Sequence, residues 1–296
     1  MVFITKRKSG NIEYYYLGHS MKGGKKVEKI VKYLGKKIPK DIEVIKKNFL
    51  FEIYKKKWFE KFDLIKKNFS REFAKLPKEI KEKNIEQFAI KFTYNTNRIE
   101  GSRLTFKDTA LLLQDKIAPK NRPVEDIKEA ESHKIVFMEM LEYNGELNLN
   151  KALDWHRKLF LETKPSIAGK IRNYQVAVTG SKTEFPFPSK LNAVLRDFFR
   201  WYEKSKNKLH PVELAALVHL KFVSIHPFGD GNGRISRLLM NFILKKHGYP
   251  MLDIDYSNRG SYYNALERAQ VKKEGQIFVN NIFRRYLKVH GKYLKR

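Results

Sequence analysis

Cysteine is absent from this 296-residue chain, which removes disulfides and thiolate metal sites. Acidic residues are scarce: 32 Asp and Glu face 61 Lys and Arg, leaving a formal charge of +29. Long apolar runs are missing as well, and none approaches the ~20 residues that a membrane-spanning helix needs. The first residues, Met-Val-Phe-Ile-Thr-Lys-Arg-Lys, lack the apolar stretch of a signal peptide. These absences describe a soluble, cytoplasmic protein with no membrane partner. What is present is material for a core: 42% hydrophobic residues, with 21 Phe and 15 Tyr, exclude global disorder. The length suits one large domain or two modest ones. The excess charge has two readings, a polyanionic partner or a lysine-rich solvated surface.

Organisation changes along the chain. Residues 1–38 alternate short β-prone runs (Val2 to Thr5, Glu13 to Leu17, Val27 to Tyr33) with turns at Ser9-Gly10-Asn11 and Met21-Lys22-Gly23-Gly24. They predict a small basic antiparallel unit of two or three strands, closed by Gly35 and Pro39. From Asp41 the apolar spacing becomes helical, through Ile42, Ile45, Phe49, Ile53, Phe62, Ile65 and Phe69. One helix or a broken pair is expected there, in a helical linker region spanning 39–85. A helix from Lys78 to Arg98 ends at Gly101. Thr105 to Asp108 reads as a capping box, and Pro123 as the start of a helix reaching Tyr143. Further helices are expected at 150–162, 189–205, 211–224 and 233–247. The stretch Gln175 to Gly180 is β-like, and Pro186 and Pro188 keep the chain extended after it. The fold is mostly α, and it contains no internal repeat.

The chemistry concentrates at His226-Pro-Phe-Gly-Asp-Gly-Asn-Gly-Arg-Ile-Ser-Arg237. A helix ends at His226, a glycine-rich loop follows, and Arg234 begins the next helix. Such a loop points free backbone N–H groups at one spot, where the helix dipole favours an anion. Arg234 and Arg237 share one helix face beside that N-terminus. Two cations there are unfavourable unless something negative is bound. A P-loop fails because Arg234 stands where its Lys would be and no hydroxyl residue follows. The dinucleotide pattern fails on glycine spacing, since these glycines fall at 229, 231 and 233. Among eight histidines there is no His-Glu-x-x-His and no close pair for zinc.

The run resembles the signature of the Fic family, His-x-Phe-x-Asp/Glu-Gly-Asn-Gly-Arg followed by a second arginine. Every specified position is matched, and the resemblance covers roughly residues 90–275. It implies a Fic helical core with a β-hairpin flap, within a domain spanning 86–296 that includes C-terminal helices. It implies AMP transfer from ATP to a hydroxyl of a protein, with His226 as general base and Asp230 holding Mg²⁺. Gly231, Asn232 and Gly233 would supply the anion hole, and Arg234 and Arg237 would grip the β- and γ-phosphates. Gly233 matches the AMP-transferring branch, since a Doc-like branch that phosphorylates its target carries Lys there. The flap would run from about Thr183 to Pro188, with Glu184 and Phe185 near its tip, aligning the target by strand addition. An ordinary surface hairpin is the other reading. Tyr262 and Tyr263 sit where the family lines its adenosine pocket, although a Tyr pair on a helix is equally a core feature.

Thr96-Asn97-Arg98-Ile99-Glu100-Gly101 resembles the family's inhibitory motif, Ser/Thr-x-x-x-Glu-Gly/Asn. Its position, closing a helix at about 86–101 upstream of the loop, implies that Glu100 pairs with Arg237 and withholds it from the γ-phosphate. The same glutamate serves AMP removal in some relatives, so transfer and de-AMPylation both stand. Automodification and a homodimer are open as well. A different class of function would use the basic β unit, whose Tyr14, Tyr15 and Tyr16 offer stacking faces for single-stranded nucleic acid.

Overall fold

The computed structural model describes residues 2–23, 26–177 and 180–295, which divide into two compact units, Met1–Lys61 and Phe62–Arg296. In the first, β1 (Val2–Ser9), β2 (Ile12–Gly23) and β3 (Lys26–Gly35) form an antiparallel sheet in the order β1-β2-β3. The register pairs Ile4 with Leu17 and Leu17 with Lys32, so Leu17 lies at the centre of the sheet. Its buried side chain meets Phe49 and Ile53, and Val2, Ile4, Ile30 and Leu34 pack around them. Phe49 and Ile53 belong to α1 (Ile42–Ala74), one continuous 33-residue helix whose later turns belong to the second unit. The turn at Gly10, in the left-handed region at φ 56°, joins β1 to β2 where Ser9-Gly10-Asn11 predicts it.

The second unit is helical. Its elements are α2 (Lys78–Ile99), α3 (Phe106–Gln114), α4 (Val124–Glu142), α5 (Leu149–Phe160), α6 (Leu191–Ser205), α7 (Pro211–Ile225), α8 (Asn232–Lys246), α9 (Arg259–Val271) and α10 (Gly275–His290). Thr105 caps α3 through the expected box: its hydroxyl accepts from the Asp108 amide, and Asp108 accepts from Thr105. The centre is α7 against α8. Both are buried on nearly every face, with Val218, Leu220, Phe222, Leu238, Leu239 and Phe242 in the core, as befits helices enclosed by others. α2 packs against α4, and α10 against α7 and α9. This arrangement brings the end of α2 and the start of α9 to the N-terminus of α8. Among the described residues no helix is long and apolar enough to cross a membrane.

The β-like excursion at 172–188 is a correction. No strand forms among its described residues, and Val178 and Thr179 lie outside them. Side chains take the carbonyls that a ladder would use. The Arg172 guanidinium donates to Tyr174 O and Pro186 O, both at 2.7 Å, and Gln175 Nε2 donates to Phe185 O at 3.1 Å. Pro186 and Pro188 supply no amides to a ladder. The segment is an extended strap with a turn at Gly180.

Candidate active site

α7 stops at His226 because Pro227 disfavours a right-handed helical residue before it. His226 caps the helix in the left-handed region, at φ 52° and ψ 56°. Its Nδ1 lies 3.2 Å from the Val223 carbonyl oxygen. A carbonyl only accepts, so Nδ1 carries the proton and Nε2 is left as an acceptor. Burial holds the ring's pKa below the ordinary histidine value; the Val223 carbonyl opposes that shift and the Arg172 charge reinforces it. The imidazole is therefore neutral near pH 7, ready to accept a proton.

The loop that follows is braced from within. Asn232 accepts from the Phe228 amide and donates to the Phe228 carbonyl, both at 2.9 Å. Phe228 is fully buried and stacks on His156 at 3.7 Å between ring centroids. His156 accepts from the Gly169 amide through Nδ1, so its Nε2–H donates to Asp230 O at 3.0 Å. Gly231 has φ 79°, and a Cβ there would also strike Phe160, so the position admits glycine alone. The first turn of α8 then begins, presenting amides that have no intrahelical acceptor.

Arg237 is 1% exposed, and four oxygens hold it. Nε donates to Thr96 Oγ1 at 2.7 Å, Nη2 to Thr96 O at 3.1 Å and to Glu100 Oε1 at 2.6 Å, and Nη1 to Tyr262 Oη at 3.3 Å. Burial opposes the charge on Arg237, but Glu100 together with Tyr262 and Tyr263 outweighs it and raises the guanidinium's pKa. Glu100 is delivered by the way α2 ends. The Gly101 amide donates to Arg98 O and the Ser102 amide to Asn97 O, with Gly101 at φ 103°. That is a Schellman ending, and it needs glycine at Gly101. Gly233 matters at the same spot, because a Cβ on it would strike Glu100 Oε1.

Tyr262 and Tyr263 behave differently from each other. Tyr262 is buried, and because its oxygen accepts from Arg237 its O–H donates to His219 Nε2, 2.9 Å away. It is a brace for Arg237 as much as a wall. Tyr263 is 41% exposed and donates to Ile99 O at 3.1 Å.

The two arginines part company, contrary to the expectation that both face one ligand. Arg234 is buried and pairs with Glu129 of α4; it also donates to Asn97 Oδ1 at 3.4 Å and Asp230 Oδ1 at 3.3 Å. Lys164 closes the group, 2.7 Å from Asp230 Oδ2 and 3.0 Å from Glu129 Oε1. Two carboxylates and two cations form a neutral ring. Burial alone would raise the Asp230 pKa, but Arg234 and Lys164 hold it below the usual carboxylate value. Glu129 is the cause of the divergence: a buried carboxylate demands a partner, and Arg234 is the cation beside it. Among the described residues no three His, Asp or Glu side chains gather to hold a metal. A hard cation bound by one carboxylate, water and substrate phosphates needs no such cluster, and Asp230 fits that donor set.

The strap covers His226. Phe185 is not at an exposed tip; it is 8% exposed, with its ring 4.1 Å from the His226 ring. The Lys182 amide donates to Glu267 Oε1 at 2.8 Å, and Thr183 Oγ1 to Gln270 Oε1 at 3.1 Å, tying the strap to α9. Glu184 is exposed. A cavity of about 450 Å³ lies under it, lined by Glu100, Phe185, His226, Gly233, Arg237 and Tyr263, among others. Neither Arg234 nor Asp230 lines it. A neutral imidazole, a buried cation and a helix N-terminus thus converge on a space of nucleotide size.

Residues 146–244 match the model of the Fic/DOC family. Over those residues the chain is similar to a Fic domain. Curated relatives include "Protein adenylyltransferase Fic" of Nematostella vectensis, 33% identical over 190 residues, covering 62% of this chain and 44% of that protein. The protein of the same name from Drosophila ananassae is 35% identical over 188 residues, covering 62% and 37%. The chain thus spans less than half the length of either. A Fic domain containing signaling protein of Bacteroides thetaiotaomicron superposes with a TM-score of 0.70 at 28% identity, over 78% of this chain and 96% of that one. A fragment of Fic-1 from C. elegans does so with 0.73 at 25% identity, over 86% and 76%. Glu129, Lys164, Arg172 and His219, which complete the site, carry no signal in the sequence, since each is a single residue remote from the loop.

Proposed function

We propose that this protein transfers AMP from ATP to a hydroxyl side chain of a protein, and that Glu100 restrains the reaction. The observation carrying this reading is the cavity onto which His226, the start of α8 and Arg237 all open, with Arg237 held there by Glu100. The target oxygen would attack the α-phosphorus as its proton passes to His226 Nε2. The new O–P bond forms while the bond to the β-phosphate oxygen breaks, and pyrophosphate leaves toward Arg237 and the amides near Gly231, Asn232 and Gly233. Asp230 would hold Mg²⁺, which when bound neutralises phosphate charge. Tyr263 and Leu266 would flank the adenosine. ATP labelled at the α-phosphate should leave its label on protein, whereas γ-labelled ATP should not; label retained from the γ-position would sink the proposal. Asp230→Ala should lower transfer about 10²-fold, the scale of losing metal stabilisation, and excess Mg²⁺ should not restore it. A Mg²⁺ titration of both proteins checks this.

The base must be unprotonated, and burial lowers its pKa. The acid limb of the transfer rate should therefore have its midpoint below the ordinary histidine value. A pH–rate profile whose acid limb has its midpoint above pH 7 would remove His226 from this role. The reverse reaction has support as well: the Glu100 carboxylate lines the cavity, where it could position water against an AMP–protein bond. Release of AMP from modified protein, measured in the same assays, separates the two directions.

A further inference from the structure

On the far side of Phe185 lies a second, larger groove of about 1040 Å³, between the strap, α6, α7 and the turn joining α9 to α10. Phe185 and Gln270 line both this groove and the cavity around His226, so one layer of side chains separates them. Its floor is apolar: Leu217 and Leu220 from α7, and Val194, Phe198 and Trp201 from α6. Its rim is basic. Lys182, Lys221 and Lys273 open on it, and among the described residues none of the three has a carboxylate within ion-pair distance. Lys221 lies with its ammonium 4.7 Å from the Trp201 ring centroid, a cation held over an aromatic face. Of the two acidic residues on the groove, Asp197 is paired with Arg200 at 3.3 Å, which leaves Glu184 against three lysines. An apolar floor with unpaired cations above it is complementary to a chain that presents both an apolar and an acidic side chain.

We propose that this groove docks the segment of the target protein beside the accepting hydroxyl, and that it selects segments pairing an acidic with an apolar side chain. This rests on the AMP-transfer reading. The acidic group meets Lys221 and its neighbours, the apolar group covers Trp201 and Leu217, and the hydroxyl residue passes Phe185 to reach His226. Glu184, exposed on the strap, repels a target with acid on the wrong side of the hydroxyl.

The test uses the full chain without nucleotide and two fluorescein-labelled peptides. One alternates Leu and Glu around a central Ser; in the other every Glu is Lys. Anisotropy should show the Glu peptide bound roughly tenfold tighter or more, the scale of a few exposed charge pairs acting together. Lys221→Glu and Lys273→Glu should each reduce that preference, and together abolish it. Trp201→Ala should weaken the Glu peptide. Lys288→Glu, an exposed position on α10 outside the groove, changes the net charge by the same amount and should leave the preference intact. If Lys288→Glu erodes it as much as Lys221→Glu does, overall charge is responsible and the groove is not. A wild type that incorporates label from α-labelled ATP yet does not distinguish the peptides overturns the groove alone. Preference for the Glu peptide with no AMP transfer under any condition overturns both readings.

Discussion

Replacing Glu100 by glycine should raise AMP transfer about 10²-fold, against the usual direction of active-site substitutions. The gain is expected because Arg237 has one charged partner among the described residues, Glu100 Oε1 at 2.6 Å. Charge-assisted pairs of this kind are short and strong, and the Arg237 end of this one is shielded from water. While it holds, a γ-phosphate cannot take the guanidinium. On this reading ATP would then sit with its α-phosphorus out of line for attack, and a displacement of about 1 Å can cost about 10² in rate. Glycine frees Arg237 while leaving Thr96 Oγ1, Thr96 O and Tyr262 Oη to orient it. Arg237→Ala should not reproduce the gain, since it removes inhibitor contact and phosphate ligand together. The measurement is incorporation of α-labelled ATP into the protein itself and into lysate proteins. Equal incorporation by wild type and Glu100→Gly would rule out restraint by α2. If the variant instead loses an existing AMP-removing activity, Glu100 serves the reverse reaction.

His226→Ala carries the second large effect, and its sign is opposite. Transfer should fall by about 10²-fold or more, the usual contribution of a positioned general base. It is best measured in the Glu100→Gly background, where activity is highest. Affinity for a non-hydrolysable ATP analogue should stay near that of the parent, because on the proposed reading Arg237 and the start of α8 would carry the phosphate contacts. Loss of rate with retained binding is the signature of a group acting only in the transition state. Should binding fall in parallel with rate, His226 holds the loop rather than the proton. Its αL conformation and the Arg172 Nε–H that donates to its carbonyl at 2.8 Å involve only backbone, so alanine leaves the Arg172 contact in place.

Much of this was readable before any fold was known. The ends of α2, α3, α7 and α8 are written in their neighbours: Gly101, the Thr105–Asp108 box, Pro227 and Gly231 act over three or four residues. The three strands follow from alternation and turns in the first 35 residues. The expected partnership of Glu100 with Arg237 forms across 137 residues of sequence, but family resemblance, not local chemistry, suggested it. The strap defeated the same kind of reading. Val176 and Ala177 look like strand residues, yet Arg172 and Gln175 claim the carbonyls that a hairpin would pair. Tyr262 and Tyr263 sit side by side in sequence, but only burial distinguishes the brace from the wall.

The anion-binding loop and its histidine are local facts, since twelve consecutive residues contain the helix end, the glycines and the next N-terminus. Any chain folding that stretch as helix–loop–helix presents those amides together. Which arginine faces the cavity is not local. Arg234 and Arg237 look equivalent in sequence, and Glu129, 105 residues before Arg234, draws one of them into a buried ring of charge. Nor is the cover over His226 local, because Phe185 arrives from a strap tied to α9 by Thr183 and Gln270. Buried charges must find partners and large rings must find walls, and the chain meets both demands with residues far apart in sequence, so tertiary packing made those choices.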